Sequence, residues 1–247
     1  MLMRSSNPVL RHDMFKSGVK SDTKTMTIQG TVNKCFILLL IVLATAAYTW
    51  SLFFSQGVVA VRPFIFIGAI GGLIAGFVTY FKQQLAYISA PIYAGCQGLF
   101  LGAVSAQFEL SYPGIVIQSV GLTFSTMFCL LGAYKSGFIK ATENFKLGVS
   151  AATAGLFLFY LISFVFSLFG FDFSVFHSSS LIGVGFSLFV VAIAALNLVM
   201  DFDFIEQGEQ RCLDKNMEWI GAFGLMVTLI WLYLEMLRLL VKLRDRR

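Results

Sequence analysis

Residues 219–241 read WIGAFGLMVTLIWLYLEMLRLLV, apolar throughout except for Glu235 and Arg238. As a helix, a run of this length covers the ~30 Å of hydrocarbon in a bilayer. The stretch is too long and too apolar for a surface helix of a soluble domain. An ionisable group within such a span costs on the order of 3 kcal/mol and faces a bundle interior, a pore or a partner. Just upstream, residues 200–210 read MDFDFIEQGEQ, so Asp201, Asp203, Glu206 and Glu209 close the preceding apolar segment.

Working outward, six more apolar runs of similar length precede this one, at roughly 35–54, 63–81, 85–108, 113–134, 147–169 and 180–200. The chain has 247 residues, 57% apolar and 13% charged, with 27 Phe, and a mean hydropathy of +0.81. Soluble domains carry about 25% charged residues. The sequence therefore predicts an all-α membrane protein with seven transmembrane helices. An open sheet in lipid would leave backbone groups unpaired, and no ~10-residue alternation of a membrane barrel is present. Cys35, Cys96, Cys129 and Cys212 include no CxxC spacing and read as small apolar residues.

Three regions follow: a basic arm at 1–33, the seven-helix domain at 34–242, and a basic tail at 243–247. The arm carries Arg4, Arg11, Lys16, Lys20 and Lys24, and no small-residue cleavage site follows the first apolar run convincingly, so that run reads as an uncleaved first helix. Twelve Lys and Arg fall on the side of the arm and the even-numbered loops. The positive-inside rule then places the N-terminus in the cytoplasm. The tail, LVKLRDRR, argues the other way, because seven full crossings put its cations outside. A seventh segment that re-enters near Gly221 and Gly224 is the alternative.

Lipid is as apolar as leucine, so helices associate in it through small residues and polar contacts. GAIGGLIAG at 68–76 sets Gly68, Gly72 and Gly76 on one face, and Gly98 and Gly102 repeat the spacing in the third span. Asn197 lies one turn before Asp201 and shares its face.

The acids admit several uses. Clustered carboxylates take hard cations, which makes Asp201 and Asp203 transient Ca²⁺ contacts, although the spacing matches no dedicated metal loop. Two carboxyls in a low-dielectric site share a proton and respond to pH. A solvated acidic cap, balanced by Arg211 and Lys215, is the plainer reading. Glu235 has a plain reading too, because Arg238 three residues on forms an i, i+3 pair.

Three motifs carry a family resemblance: RSSNPVL at 4–10, MDFDFIEQG at 200–208 and WLYLEMLRLL at 231–240. In these and in span order the chain resembles the Bax inhibitor-1-type, or transmembrane Bax inhibitor motif, proteins of bacteria. The resemblance implies a seven-helix bundle with the last helix central, and a pH-sensitive calcium leak. It implies a gate in which an acid of helix six meets one of helix seven, here Asp201 and Glu235. Asp203 and Glu206 are supporting acids, and Arg238, Asn197 and Lys82 are partners of the gate. The chain departs from the family in using Glu for the second acid, in the long gap between the acids, and in lacking an Arg within span two, where Lys82 at its end stands nearest.

The functional expectation is a pH-sensitive cation leak channel, for Ca²⁺, in a bacterial inner membrane. Its partners are the lipid bilayer, Ca²⁺ and H⁺, with Ca²⁺ as permeant ion and no cofactor. A proton-coupled transporter, or a non-transporting scaffold that binds a membrane protease, remain alternatives. No nucleic-acid role and no enzyme are expected, since HExxH and GxSxG are absent and His12 and His177 lie outside the spans.

Overall fold

The computed structural model describes residues 25–169 and 180–246, and within them it is helical. Among the described residues, seven helices are long and apolar enough to cross a membrane. They are α1 (Ile28–Gln56), α2 (Val58–Phe81), α3 (Ala86–Ser111), α4 (Ile115–Lys135), α5 (Glu143–Leu168), α6 (Leu181–Gln210) and α7 (Met217–Arg244). A 3-10 turn, Gln83–Leu85, joins α2 to α3. The residues Arg4, Arg11, Lys16, Lys20 and Lys24 of the basic arm, both histidines and Arg247 lie outside the described residues.

The helices overrun the apolar runs because polar side chains cap them. Thr27 accepts the Gly30 amide at 3.0 Å and starts α1 seven residues before the first apolar run. Thr142 and Ser180 start α5 and α6 in the same way. Glu109 near the end of α3 accepts the Gly114 and Val116 amides and caps α4. Each cap satisfies backbone donors that a helix start leaves open.

Glycines set how closely the first three helices approach. A side chain on Gly68 would stand 2.6 Å from the Cys96 carbonyl oxygen, and one on Gly72 would stand 2.7 Å from the Gln97 amide. On the other side of α3, Gly98 and Gly102 lie against the α1 backbone at Val42 and Ala46. α3 is thus held between α1 and α2 by backbone approach. Gly76, the third of its repeat, keeps ordinary distance from the Tyr93 ring.

α7 is the inner helix. It packs against α6, α1, α4 and α3, and more of it is buried than of any other span. It runs unbroken past Gly221 and Gly224, so it does not re-enter. Its two ends meet loops on opposite faces. Asn216 donates to the Gln83 carbonyl in the α2–α3 turn. Arg244 donates to the Pro113 carbonyl at 2.9 Å, and Tyr112 donates to Asp245, both beside the α3–α4 loop. The basic tail therefore lies on the face opposite the start of α1.

Overpacking at a close backbone contact costs about 1–3 kcal/mol. Gly102→Ala, which drives a methyl into Ala46, is expected to lower thermal stability in detergent by that amount. Gly121→Ala, where the space is open, stays within ~0.5 kcal/mol of the parent.

Candidate functional site

Asp201 sits about two-thirds of the way along α6, where a turn of α7 crosses it. Its Oδ1 lies 3.5 Å from the position a side chain on Gly224 would take. The carboxyl thus lies in ordinary contact with α7 at Gly224. Thr228, one turn on, faces the same carboxyl, and its hydroxyl donates to the Gly224 carbonyl at 3.2 Å. Cys35 of α1 lies within electrostatic range. The Oδ2 atom of Asp201 is buried without a hydrogen-bond partner. A buried, unsatisfied carboxyl oxygen is rare in a packed interior, which makes Asp201 a candidate functional group.

Glu235 is also buried, at 3% exposure, but it is satisfied. Arg238 donates to its Oε1 at 2.9 Å and the Tyr160 hydroxyl of α5 at 3.5 Å. Lys242, one turn further, donates to the Gly183 carbonyl at 3.1 Å and the Ser187 hydroxyl at 2.8 Å.

These contacts correct the expected meeting of Asp201 with Glu235. α6 and α7 are antiparallel, so a residue later in one faces a residue earlier in the other. Residues 183 and 187 face 242, and 201 faces 224 and 228. In that register Glu235 stands opposite the 190–194 stretch of α6. It lies seven residues, or ~10 Å of helix, beyond Thr228. The pair that does form is Glu235 with Arg238.

The remaining partners are placed as follows. Asn197 donates to the Thr153 hydroxyl of α5 and to the Ile193 carbonyl, both at 2.9 Å, and so ties α6 to α5. Lys82 stands exposed at the end of α2. Asp203 pairs with Lys146 of α5 at 2.8 Å and accepts from Gln207 at 2.6 Å. Glu206 accepts from the Tyr134 hydroxyl of α4 and from Gln210. Glu209 accepts the Ile28 amide of α1 at 2.9 Å. The acidic run thus grips α5, α4 and α1 one residue at a time. Among the described residues no three acids, histidines or cysteines converge to hold a metal ion.

Sequence reasoning passed over one residue of this face. Glu218, in the first turn of α7, is fully buried. It pairs with Lys34 of α1 and accepts both the amide and the hydroxyl of Thr27 at 3.0 Å. The Lys34 ammonium also lies 5.4 Å from the centre of the Trp219 ring, a cation–π contact. Gly30 makes room for the carboxylate, since any side chain there would overlap it. The signal was a lone acid beside Trp219 at the head of the span, with a lysine at the head of the first.

The family model described as Bax inhibitor 1 like matches residues 7–245, nearly the whole chain, and the protein belongs to that family. No curated protein and no solved structure matches it.

Breaking one partner of a buried ion pair costs about 3–5 kcal/mol. Glu218→Ala is therefore expected to lower stability by that much in a thermal unfolding assay in detergent. The double variant Glu218→Leu with Lys34→Met, which leaves no charge uncompensated, recovers most of the loss.

Proposed function

We propose that this Bax inhibitor 1-like membrane protein is a pH-sensitive cation leak, conducting Ca²⁺, with the carboxyl of Asp201 as its gate. One observation carries the reading: Asp201 has a buried oxygen without a partner at the contact between α6 and the inner helix α7. A neutral carboxyl fits a dry contact, because it brings its own donor and one of its neighbours is a hydroxyl oxygen. An ionised carboxylate there has no counter-charge and demands water or a cation. Ionisation therefore favours separation of α6 from α7 and entry of hydrated cations, and protonation favours closure.

Asp203 and Glu206 stand two and five residues beyond Asp201 toward the N-terminal face. Their charge enriches cations at that mouth while their own contacts hold α4 and α5 in place. Glu235 is the second carboxyl of the proposed device. Its pairing with Arg238 suits it to anchor the far half of α7 rather than to switch. The count of Lys and Arg by side supports a bacterial inner-membrane orientation with the N-terminal face in the cytoplasm.

Calcium flux into proteoliposomes across pH 6 to 8 tests the proposal. Wild-type flux is expected to rise with pH. Asp201→Asn, neutral at every pH, is expected to stay at the acid-limit rate throughout, while Glu235→Gln keeps the pH dependence. A wild type without pH-dependent calcium flux, or an Asp201→Asn variant that follows the wild-type profile, overturns it. Proton flux that requires a co-substrate would instead identify a coupled transporter. Unaltered permeability with a co-purifying membrane protease would identify a scaffold.

A further inference from the structure

α1 and α4 each pack on α7 and leave a gap between them. Two cavities, of about 500 and 370 Å³, fill this gap. Leu39, Phe124, Met226 and Leu229 line both, so they form one groove along the inner helix. It runs from Ile28 and Lys135 at one face to Trp50 and Val116 at the other, about 30 Å at 1.5 Å per residue. Phe36, Leu43 and Phe128 on its rims are exposed, as they are on a surface that meets lipid.

The volumes decide what fits. The wider cavity is of the size that takes a small ligand, about 300–1,000 Å³. Its wall is apolar, so water gains nothing there, and an empty groove would forfeit dispersion contacts along α7. Flexible acyl chains match both its width and its chemistry.

The wider half is polar only at its mouth. Lys135, in the last turn of α4, is exposed, and among the described residues no acid pairs with it. Glu206 lines the same mouth. Its carboxylate has about four acceptor sites, of which Tyr134 and Gln210 take two. A cation and an anion at one membrane-edge opening complement a headgroup that carries both charges. A purely anionic headgroup would meet Glu206 as a like charge.

We propose that the groove between α1 and α4 binds one phosphoethanolamine glycerophospholipid. The phosphate rests on Lys135, the ammonium faces Glu206, and the acyl chains lie on Leu225, Met226 and Leu229 of α7. The inner helix is then completed on this side by lipid instead of by protein. The site is separate from the Asp201 contact and does not depend on the leak reading.

Native mass spectrometry of the full chain, after reconstitution in equimolar phosphatidylethanolamine and phosphatidylglycerol vesicles and gentle extraction, tests this. Wild type is expected to retain one phosphatidylethanolamine in preference to phosphatidylglycerol. Lys135→Gln, which removes a charge-assisted contact to phosphate, lowers retention about tenfold. Glu206→Gln retains lipid but loses the preference between the two headgroups. A phosphatidylethanolamine with a photoreactive acyl chain labels residues 225–229 in wild type and not in Leu39→Trp, which fills the groove. This labelling reads the site even where a headgroup variant folds poorly. Wild type that keeps no lipid, Lys135→Gln that keeps as much as wild type, or labelling confined to the outer rims at Phe36 and Phe128 overturns the proposal.

Discussion

The antiparallel register of α6 against α7 is the constraint on which the rest of the molecule depends. It is held at one end by Lys242 on Gly183 and Ser187, and at the other by the closeness of Asp201 to Gly224. In hydrocarbon no water competes for these groups, so each polar contact specifies a position along the helix. Once the register is set, every acid of the two helices has its neighbours. Asp201 falls against a glycine and a threonine, and Glu235 falls ~10 Å or more away from it, beside its own Arg238.

The N-terminal face closes around this pair of helices. The end of α6 and the start of α7 supply Asp203, Glu206, Glu209 and Glu218, of which Asp203 meets α5, Glu206 meets α4, and Glu209 and Glu218 both meet α1. Met26 and Leu213 are joined by a 2.8 Å backbone bond, and Thr25 forms a bridge with Asp214. A cluster of carboxylates that looks in one dimension like a cation site thus serves in three dimensions as a clasp. Paired or capping acids are spread apart, and among the acids of the described residues Asp201 alone keeps a buried oxygen without a partner. The contrast is what sets Asp201 apart from its neighbours.

The two sides of α7 are finished differently. On the α6 side its neighbours are protein, and the packing there includes Leu198, Leu232 and Met236. Between α1 and α4 it faces a groove. A moving contact at Asp201 and a yielding surface along the helix are mechanically compatible, because α7 has room beside Leu225, Met226 and Leu229. The glycine-packed trio of α1, α2 and α3 is the rigid counterpart. There Gly98 and Gly102 of α3 lie directly against the α1 backbone at Val42 and Ala46.

Much of this was legible in the residues. Run lengths and the dearth of charge determined seven spans, because hydrocarbon thickness and backbone hydrogen bonding leave no other solution. The spacing of Gly68 and Gly72, and of Gly98 and Gly102, announced where helices touch, since only glycine permits that approach. The family was legible in three short motifs and is confirmed over residues 7–245. What the sequence could not determine was which charges meet. Glu235 and Asp201 share a motif pattern but not a level in the bundle, Lys34 and Glu218 are 184 residues apart, and Lys242 reads as a tail residue although it is buried. Those pairings depend on helix register and rotation, which are properties of the packed bundle. A linear pattern fixes the face on which a side chain lies, and only the neighbouring helix decides what it finds there.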